Sequence, residues 1–299
     1  MLKITERKNV MTMKNNFTEA EMKAFEPAEK LGIIATITPE GLPHMSLLTS
    51  VMAAKPDQLT VGEFCQGKSK EYMQQNAKIG FAILTLDKKL WRGKAHWTHL
   101  KKEGREYEIY NNQPMFRYNT YFGINTVHYF DLKETTTGSS LPLASVVKSA
   151  LLTKMAKGGA AKGSARRVLS YLGENLFNGL DSIKFLSFIG EDGFPVIIPV
   201  IQCQAADSRR LAFHPGAFGD ELNMLKPGMK IAIFCLTMQM EDVLVRGIFN
   251  GYSRYRGVNL GILDIDWVYN SMPPNHGQIY PPVPLERVVN FNESQISEA

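Results

Sequence analysis

The chain has 299 residues, of which 44% are hydrophobic and 21% charged, and its net charge is +5. This composition is typical of a folded chain with room for two domains and excludes a mainly disordered protein. No apolar run approaches the roughly 18–20 residues that a membrane-spanning helix needs, and the polar segment 1–16 does not resemble a secretory signal. The three cysteines form no CxxC pair, so we expect a reduced, cytoplasmic environment.

Short strands dominate the first half of the chain. They are predicted over 32–38, 44–52, 59–64, 79–86, 90–100 and 127–132. Turn residues such as Pro39-Glu40-Gly41 separate them, and their spacing of 8–12 residues favours a closed or sandwiched antiparallel sheet. Two short helices are predicted, one from Thr18 to about Lys30 and one over 69–76.

A helical linker is predicted next, within residues 138–163. Its apolar positions repeat at helical spacing and are Leu143, Val146, Val147, Ala150, Leu151 and Met155. Residues 135–173 hold six basic side chains (Lys148, Lys154, Lys157, Lys162, Arg166 and Arg167) and no acidic one, so subtracting six from +5 leaves the rest of the chain at −1. This distribution argues against a nucleic-acid partner. We expect the apolar face to pack on a barrel; the alternative is docking on an anionic membrane surface or an acidic partner.

The second half repeats the first. Residues 40–43 (EGLP) recur as 192–195 (DGFP) at an offset of 152, and residues 90–93 (LWRG) recur as 244–247 (LVRG) at an offset of 154. Ordered matches at nearly constant offset predict a tandem duplication. We therefore predict a first unit over 1–137, a linker over 138–163 and a second unit over 164–299. The second unit would open with a helix over 164–177 and end in a Pro-rich arm (273–284) without regular structure.

The segment 62–70 (GEFCQGKSK) carries the clearest chemical signal. It follows a predicted strand and opens a predicted helix, so it offers backbone N–H groups, a hydroxyl and two ammonium groups to one point, as phosphate binding requires. A solvated basic turn with a serine cap explains the same residues equally well.

The ordered set of motifs resembles the pyridoxamine 5′-phosphate oxidase-like family of FMN-binding split barrels. The residues that carry it are Ala35-Thr36, the turn at 40–43, Lys68-Ser69-Lys70, 76–79 and Gly93-Lys94-Ala95. The resemblance covers roughly residues 18–135 and, more weakly, 164–268. It implies a mainly β protein with a few helices, built as two tandem six-stranded split β-barrels that form a pseudo-dimer and hold a flavin between them.

The resemblance also implies a set of cofactor-binding residues. The strand with His44, Met45, Ser46 and Leu47 would lie along the flavin, and Thr49 would reach toward the phosphate. Lys68, Ser69 and Lys70 would hold that phosphate. Glu63, Phe64 and Arg92 complete the expected set, although the charge of Glu63 would repel a phosphate placed too close.

The second copy lacks the basic motif. At the offset of 152, Lys68-Ser69-Lys70 becomes Asp220-Glu221-Leu222, and two anions facing a dianionic phosphate would each repel it by about 1 kcal/mol or more. We predict that the second barrel does not bind FMN at the equivalent place and instead supplies the second wall of one working site.

Two functional hypotheses follow. The first is an FMN-dependent oxidoreductase other than the true oxidase, since residues 285–299 lack the Arg-Leu-x-Pro ending of that enzyme. FAD, a deazaflavin and haem remain alternative cofactors, the catalytic residues stay unassigned, and further oligomerisation stays open. The second is a non-catalytic protein that binds a flavin, haem or an anionic partner.

Weaker signals do not change these hypotheses. His96 and His99 lie three apart on a predicted strand and would face opposite sides, so we predict no metal site there. Residues 158–164 lack the lysine of a phosphate-binding P-loop. Cys65 is expected to be a small buried residue, and Trp91 to cover a barrel end or to stack on the flavin.

Overall fold

The computed structural model describes residues 12–63, 67–113, 124–163, 166–237, 239–270 and 277–282. Its first half is one antiparallel sheet. The strands are β1 (Met13–Lys14), β2 (Lys30–Ile37), β3 (Pro43–Leu47), β4 (Met52–Lys55), β5 (Gln58–Glu63), β6 (Lys78–Thr85), β7 (Lys89–Lys101), β8 (Thr126–Thr136) and β9 (Ser139–Ser140). The helices are α1 (Glu19–Ala24), α2 (Lys68–Gln75) and α3 (Arg105–Asn112).

A long helix, α4 (Leu143–Ala156), leads through a 3-10 turn (Lys157–Ala160) into the second half. The second sheet contains β10 (Ile183–Ile189), β11 (Pro195–Pro199), β12 (Gln204–Asp207), β13 (Arg210–Phe213), β14 (Lys230–Leu236), β15 (Asp242–Tyr255), β16 (Val258–Asn270) and β17 (Gly277–Tyr280). Its helices are α5 (Tyr171–Asn178) and α6 (Gly219–Leu222).

The two sheets have the same strand order. It is β3-β2-β6-β7-β8-β5-β4 in the first sheet and β11-β10-β14-β15-β16-β13-β12 in the second, so adding eight to each label converts one path into the other. The expected fold class, mainly β with two split-barrel sheets and a helical linker, is confirmed. The duplication and the domain boundaries 1–137, 138–163 and 164–299 stay predictions.

Each main path has seven strands rather than six, because the strand expected over 44–52 divides into β3 and β4. Between them the chain turns: the Leu48 N–H donates to Gly32 O at 2.7 Å, and the Val51 N–H donates to Leu48 O at 3.2 Å. Helix α1 begins as expected at Thr18, whose side chain and Glu21 form a capping box. It ends at Ala24, well before Lys30, because the residue before Pro27 disfavours helical geometry.

Two glycines occupy matching places in the two sheets. A Cβ atom on Gly93 would lie 2.0 Å from the Glu134 carbonyl oxygen, and one on Gly247 would lie 1.9 Å from the Asp264 carbonyl oxygen. Both glycines adjoin a shift of register in the long hairpin, where the strands approach closely. The offset of 154 therefore relates residues with the same structural role.

Each barrel has its own apolar core, and a third cluster joins the barrels. This interface cluster is formed by β2, β3, β6 and β7 of the first barrel and β10, β11, β14, β15 and β16 of the second. Its members include Ile33, Met45, Phe185, Ile197 and Phe234, all at most 5% exposed. At Gly80 the backbones come so close that a Cβ atom would lie 2.4 Å from the Pro195 carbonyl oxygen.

Helix α4 packs on the second barrel through small residues, not through the whole apolar face expected. Its buried positions are Val146, Ser149, Ala150, Thr153 and Ala156. Four of the six expected apolar residues, Leu143, Val147, Leu151 and Met155, instead form an exposed stripe (43–60% exposed). Small side chains allow the helix to lie close to the strands, where Gln204 Nε2 donates to Ala150 O at 2.9 Å.

The expected Pro-rich arm is partly regular, because Gly277–Tyr280 forms β17 and pairs with β16. The rest of 273–284, apart from 281 and 282, lies outside the described residues. The helix expected over 164–177 is shorter than predicted: α5 begins at Tyr171 and is capped by Ser170, and residues 164 and 165 lie outside the described residues. Within the described ranges, every helix is too short or too polar to cross a membrane.

Candidate functional site

The expected site residues of β3 divide between its two faces. Met45 and Leu47 pack in the interface cluster, so only their backbone atoms are available to a ligand. His44 and Ser46 lie on the opposite face, toward α2, since alternate residues of a strand share a face. Thr49 is half-buried in the turn that follows β3.

Helix α2 brings Ser69 against β3 but separates its two lysines. The Ser69 and Ser46 hydroxyl oxygens lie 2.6 Å apart. Lys68 is half-buried, with 44% of its side chain exposed, and pairs with Glu71 at 2.9 Å. Lys70 is buried and lies 3.6 Å from the Glu63 carboxylate. Lys70 thus balances a half-buried carboxylate, and the expectation that both ammonium groups hold one phosphate stays a prediction.

Glu63 is the centre of a hydrogen-bonded group at the end of β5. Its Oε2 accepts from Thr126 Oγ1 at 2.6 Å and from His128 Nε2 at 3.1 Å. Burial alone would raise the pKa of Glu63, but these hydrogen bonds and the charge of Lys70 outweigh it and lower that pKa to about 2. Glu63 is thus a compensated structural anion rather than a free charge facing a phosphate.

His128 connects this group to Trp97. The Trp97 Nε1–H donates to His128 Nδ1 at 3.1 Å. Because an indole nitrogen can only donate, His128 Nδ1 must accept, and its hydrogen is on Nε2, which donates to Glu63. Neither His128 nor Trp97 was predicted as a member of this site. Phe64 and Cys65 lie outside the described residues.

The second barrel supplies an aromatic wall opposite His44. The His44 ring meets the Tyr269 ring edge-on at 5.3 Å and the Trp267 ring at 6.2 Å, while Tyr72 of α2 approaches from the first barrel at 5.3 Å. Trp267 and Tyr269 are stacked, with ring centres 5.4 Å apart. The Arg246 guanidinium lies over the Trp267 ring, 3.7 Å from its centre.

His44 and Arg246 are buried but have unpaired nitrogens. His44 is 1% exposed, and neither of its ring nitrogens has a hydrogen-bond partner among the described residues. The same holds for Nε and Nη1 of Arg246. Burial and the charge of Arg246 lower the pKa of His44 to about 3, so this imidazole is neutral at physiological pH. Unpaired buried polar groups are destabilising, so these nitrogens stand out among the described residues.

Arg92 does not join this group. It forms a two-point ion pair with Glu221 of α6, at 2.5 and 3.0 Å, and donates to Ile197 O at 2.8 Å. Arg246 is its counterpart at the offset of 154. Arg92, on β7 of the first barrel, contacts Ile197 and Glu221 of the second, whereas Arg246, on β15 of the second barrel, belongs to the group around His44 of the first. The offset therefore gives the right residue type but the wrong barrel. The sequence signal for Arg246 was therefore present, although Tyr72 and Tyr269 had none.

The remaining candidates have structural roles. His99 stacks flat on Tyr129 at 4.5 Å, and the part of the chain that is described contains no cluster of three metal-ligating side chains. Trp91 donates to Glu21 and meets Phe25 edge-on in the first core. The expectation that Trp91 stacks on a flavin is therefore wrong, because its ring is enclosed under α1.

Comparisons with known proteins find similarity at the level of structure. No family model matches the sequence, and no curated protein matches it. HupZ from Group A Streptococcus is 17% identical, with a TM-score of 0.34, and the match covers 42% of this chain and 97% of that one. An FMN-binding protein from Syntrophomonas wolfei is 14% identical (TM-score 0.31; 37% and 77% covered). A NimC/NimA family protein from Clostridium acetobutylicum is 12% identical (TM-score 0.32; 40% and 86% covered).

Proposed function

We propose that this chain is an FMN-binding flavoprotein of the pyridoxamine 5′-phosphate oxidase-like type, with one cofactor site between its two barrels. The observation that carries the proposal is the set of buried nitrogens on His44 and Arg246 that have no partner among the described residues, and both side chains contact the Trp267 ring. One residue comes from each barrel, so the site requires both. The similar structures include one described as an FMN-binding protein.

The residues present fit a flavin in two respects. A flavin is a flat aromatic ring with a polar edge, which matches an aromatic wall beside unpaired donor and acceptor nitrogens. It also carries a phosphate, which the start of α2 can bind. Gly67 caps this helix and makes no side-chain hydrogen bond to it, so the N–H groups of Lys68 and Ser69 at the helix start could donate to a phosphate.

Each residue would then have a defined part. Arg246 would place a positive charge next to the polar edge of the ring, and neutral His44 would donate or accept one hydrogen bond there. Ser46, Ser69 and Lys68 would hold the phosphate end, while Glu63 and Lys70 would fix the end of β5 behind it. When bound, FMN supplies the hydride or electron transfer that makes the protein an oxidoreductase. Its substrate and electron donor are not assigned.

We further propose that the chain arose by duplication and kept one of two sites. The common strand order and the paired glycines support the duplication. In the second copy Glu221 stands where Ser69 stands in the first, and it already binds Arg92. A phosphate at this position would have to displace that ion pair.

A charge reversal tests where the phosphate binds. Lys68→Glu changes a partly exposed side chain, so we expect normal folding but FMN binding at least tenfold weaker in a fluorescence titration. Lys148→Glu on α4 is the control, because it reverses the charge of an exposed lysine elsewhere, and it should leave FMN binding unchanged. Equal affinities for both variants would contradict the placement of the phosphate at α2.

A second candidate function rests on the exposed stripe of α4. A helix that is apolar on both faces normally has both faces covered. Lys148 and Lys154 are exposed on the same side as the stripe, and no acidic residue lies between 135 and 173. An exposed apolar stripe flanked by lysines fits an anionic lipid surface.

Vesicle sedimentation tests this second function. The protein should sediment with phosphatidylglycerol vesicles and not with phosphatidylcholine vesicles, and the double variant Lys148→Glu/Lys154→Glu should remain in solution. Its FMN affinity should equal that of the wild type, which separates the two proposals. Failure of the wild type to sediment with anionic vesicles would contradict lipid docking.

A further inference from the structure

A large cleft lies not at the proposed flavin site but beside Arg92, the residue that the offset of 154 relates to Arg246. It has a volume of about 800 Å³ and lies between β7 and β8 of the first barrel and the β10–β11 hairpin and α6 of the second. This volume is within the range of small-molecule sites, which are about 300–1,000 Å³. The cleft is therefore large enough for a ligand of its own.

Most of the lining is apolar and adaptable. The apolar residues include Met13, Phe188, Ile189, Val196, Met224 and Met229. Three of these are methionines, whose unbranched and polarisable side chains adjust to ligands of different shape. Such a lining favours a molecule with a substantial apolar body.

The charged residues of the cleft neutralise one another. Arg92 is held by Glu221 and by Ile197 O. Lys94 pairs with Glu134 at 2.6 Å and with Asp192 at 2.8 Å. The cleft thus lacks the unpaired cationic nitrogens that Arg246 presents in the flavin site.

The net charge of the lining also disfavours an anion. The lining includes three cationic residues (Arg92, Lys94 and Lys226) and four anionic ones (Glu134, Glu191, Asp192 and Glu221). A phosphate entering here would meet acidic groups and would have to break existing ion pairs.

We propose that this cleft is a second ligand site, specific for an uncharged, largely apolar small molecule without a phosphate group. The two copies would then have diverged in ligand class: one kept free cationic nitrogens and an aromatic wall, and the other paired its arginine and kept an apolar cavity. This proposal does not depend on flavin binding at the first site.

Titration with the neutral apolar dye Nile red tests the proposal on the full-length protein. We expect saturable binding of one dye per chain. Met224→Arg, at a 47%-exposed position of the lining, should weaken this binding at least tenfold without unfolding the protein. Met155→Arg, at a 60%-exposed position of α4, is the matched control and should bind the dye as the wild type does.

Further arms distinguish the other occupants. Arg246→Met, which alters only the flavin site, should leave dye binding unchanged, and added FMN should not displace the dye. Displacement by FMN would overturn the exclusion of phosphate-bearing ligands. Two other results would overturn the proposal: loss of dye binding in Met155→Arg, or the same dye affinity in Met224→Arg as in the wild type.

Discussion

Replacing Arg246 by methionine should leave the ligand-free protein at least as stable as the wild type but weaken its binding of FMN. Two buried nitrogens of Arg246 lack partners, and each such group destabilises the fold by about 1–3 kcal/mol. Methionine removes both but forfeits the contact with Trp267, which contributes about 2 kcal/mol in a buried place. The free energy of unfolding of the ligand-free protein should therefore stay level or rise by about 0–4 kcal/mol.

The same change should weaken FMN binding by one to two orders of magnitude. A hydrogen bond from a charged group contributes about 1.5–3 kcal/mol, which corresponds to roughly 10- to 150-fold in Kd. Unfolding is measured by circular dichroism on ligand-free protein, and binding by quenching of flavin fluorescence. Each kcal/mol should move the Tm by about 2–4 °C.

The chain contains its own control for this experiment. Arg92→Met removes the arginine that the offset of 154 relates to Arg246. Arg92 pairs with Glu221, so this variant would leave the largely buried Glu221 carboxylate without its cation. We expect this variant to lose up to about 3 kcal/mol of stability and to bind FMN as the wild type does. The reasoning would be refuted if Arg246→Met were destabilised as much as Arg92→Met and bound FMN unchanged.

Three further predictions concern stability. Folding lowers the pKa of His44 from about 6.5 to about 3, so the free energy of unfolding should fall by about 1.4 kcal/mol per pH unit as the pH drops below 6.5. His44→Gln should flatten this slope in acid-unfolding curves, and equal slopes for the variant and the wild type would contradict the prediction. Lys70→Met removes the cation beside the half-buried Glu63 carboxylate and should lower the urea midpoint by an amount equivalent to about 3 kcal/mol. An unchanged midpoint would refute the structural role of Lys70. Gly80→Ala should lower the Tm, because the added Cβ would lie 2.4 Å from the Pro195 carbonyl oxygen of the other barrel. Gly219→Ala is the control and should not lower the Tm, because no atom lies within 4 Å of the added Cβ. Equal Tm values for the two variants would contradict the close approach of the barrels.

The sequence was sufficient to predict the class of fold, because turn residues and strand-length apolar runs are local signals. It was not sufficient to separate β3 from β4, since the turn at Leu48–Val51 depends on a hydrogen bond to Gly32, a residue remote in sequence. Helix α3 was missed because its sequence (REYEIYNN) is polar and buries one residue, Tyr110. Long-range contacts decide such elements.

The candidate site was predictable only in part, because long-range contacts decide which way its side chains face. The motif at 68–70 correctly indicated α2, but whether Lys70 faces a ligand or Glu63 depends on packing against β5 and β8. The offset of 154 found the pair Arg92 and Arg246 but not which barrel each one faces. For α4, the periodic pattern correctly predicted the helix but not which face is buried. Ser149 and Thr153 are buried instead of Leu151, because the helix lies close to the second barrel.

The central claim is that the chain holds one FMN between its two barrels. The most direct test is the visible absorbance spectrum of the freshly purified protein, with mass identification and quantification of whatever it releases on denaturation. The account predicts a yellow protein that releases one FMN per chain. Two FMN per chain would contradict the single site, and a colourless protein that takes up neither FMN, FAD, a deazaflavin nor haem would contradict the proposed function itself.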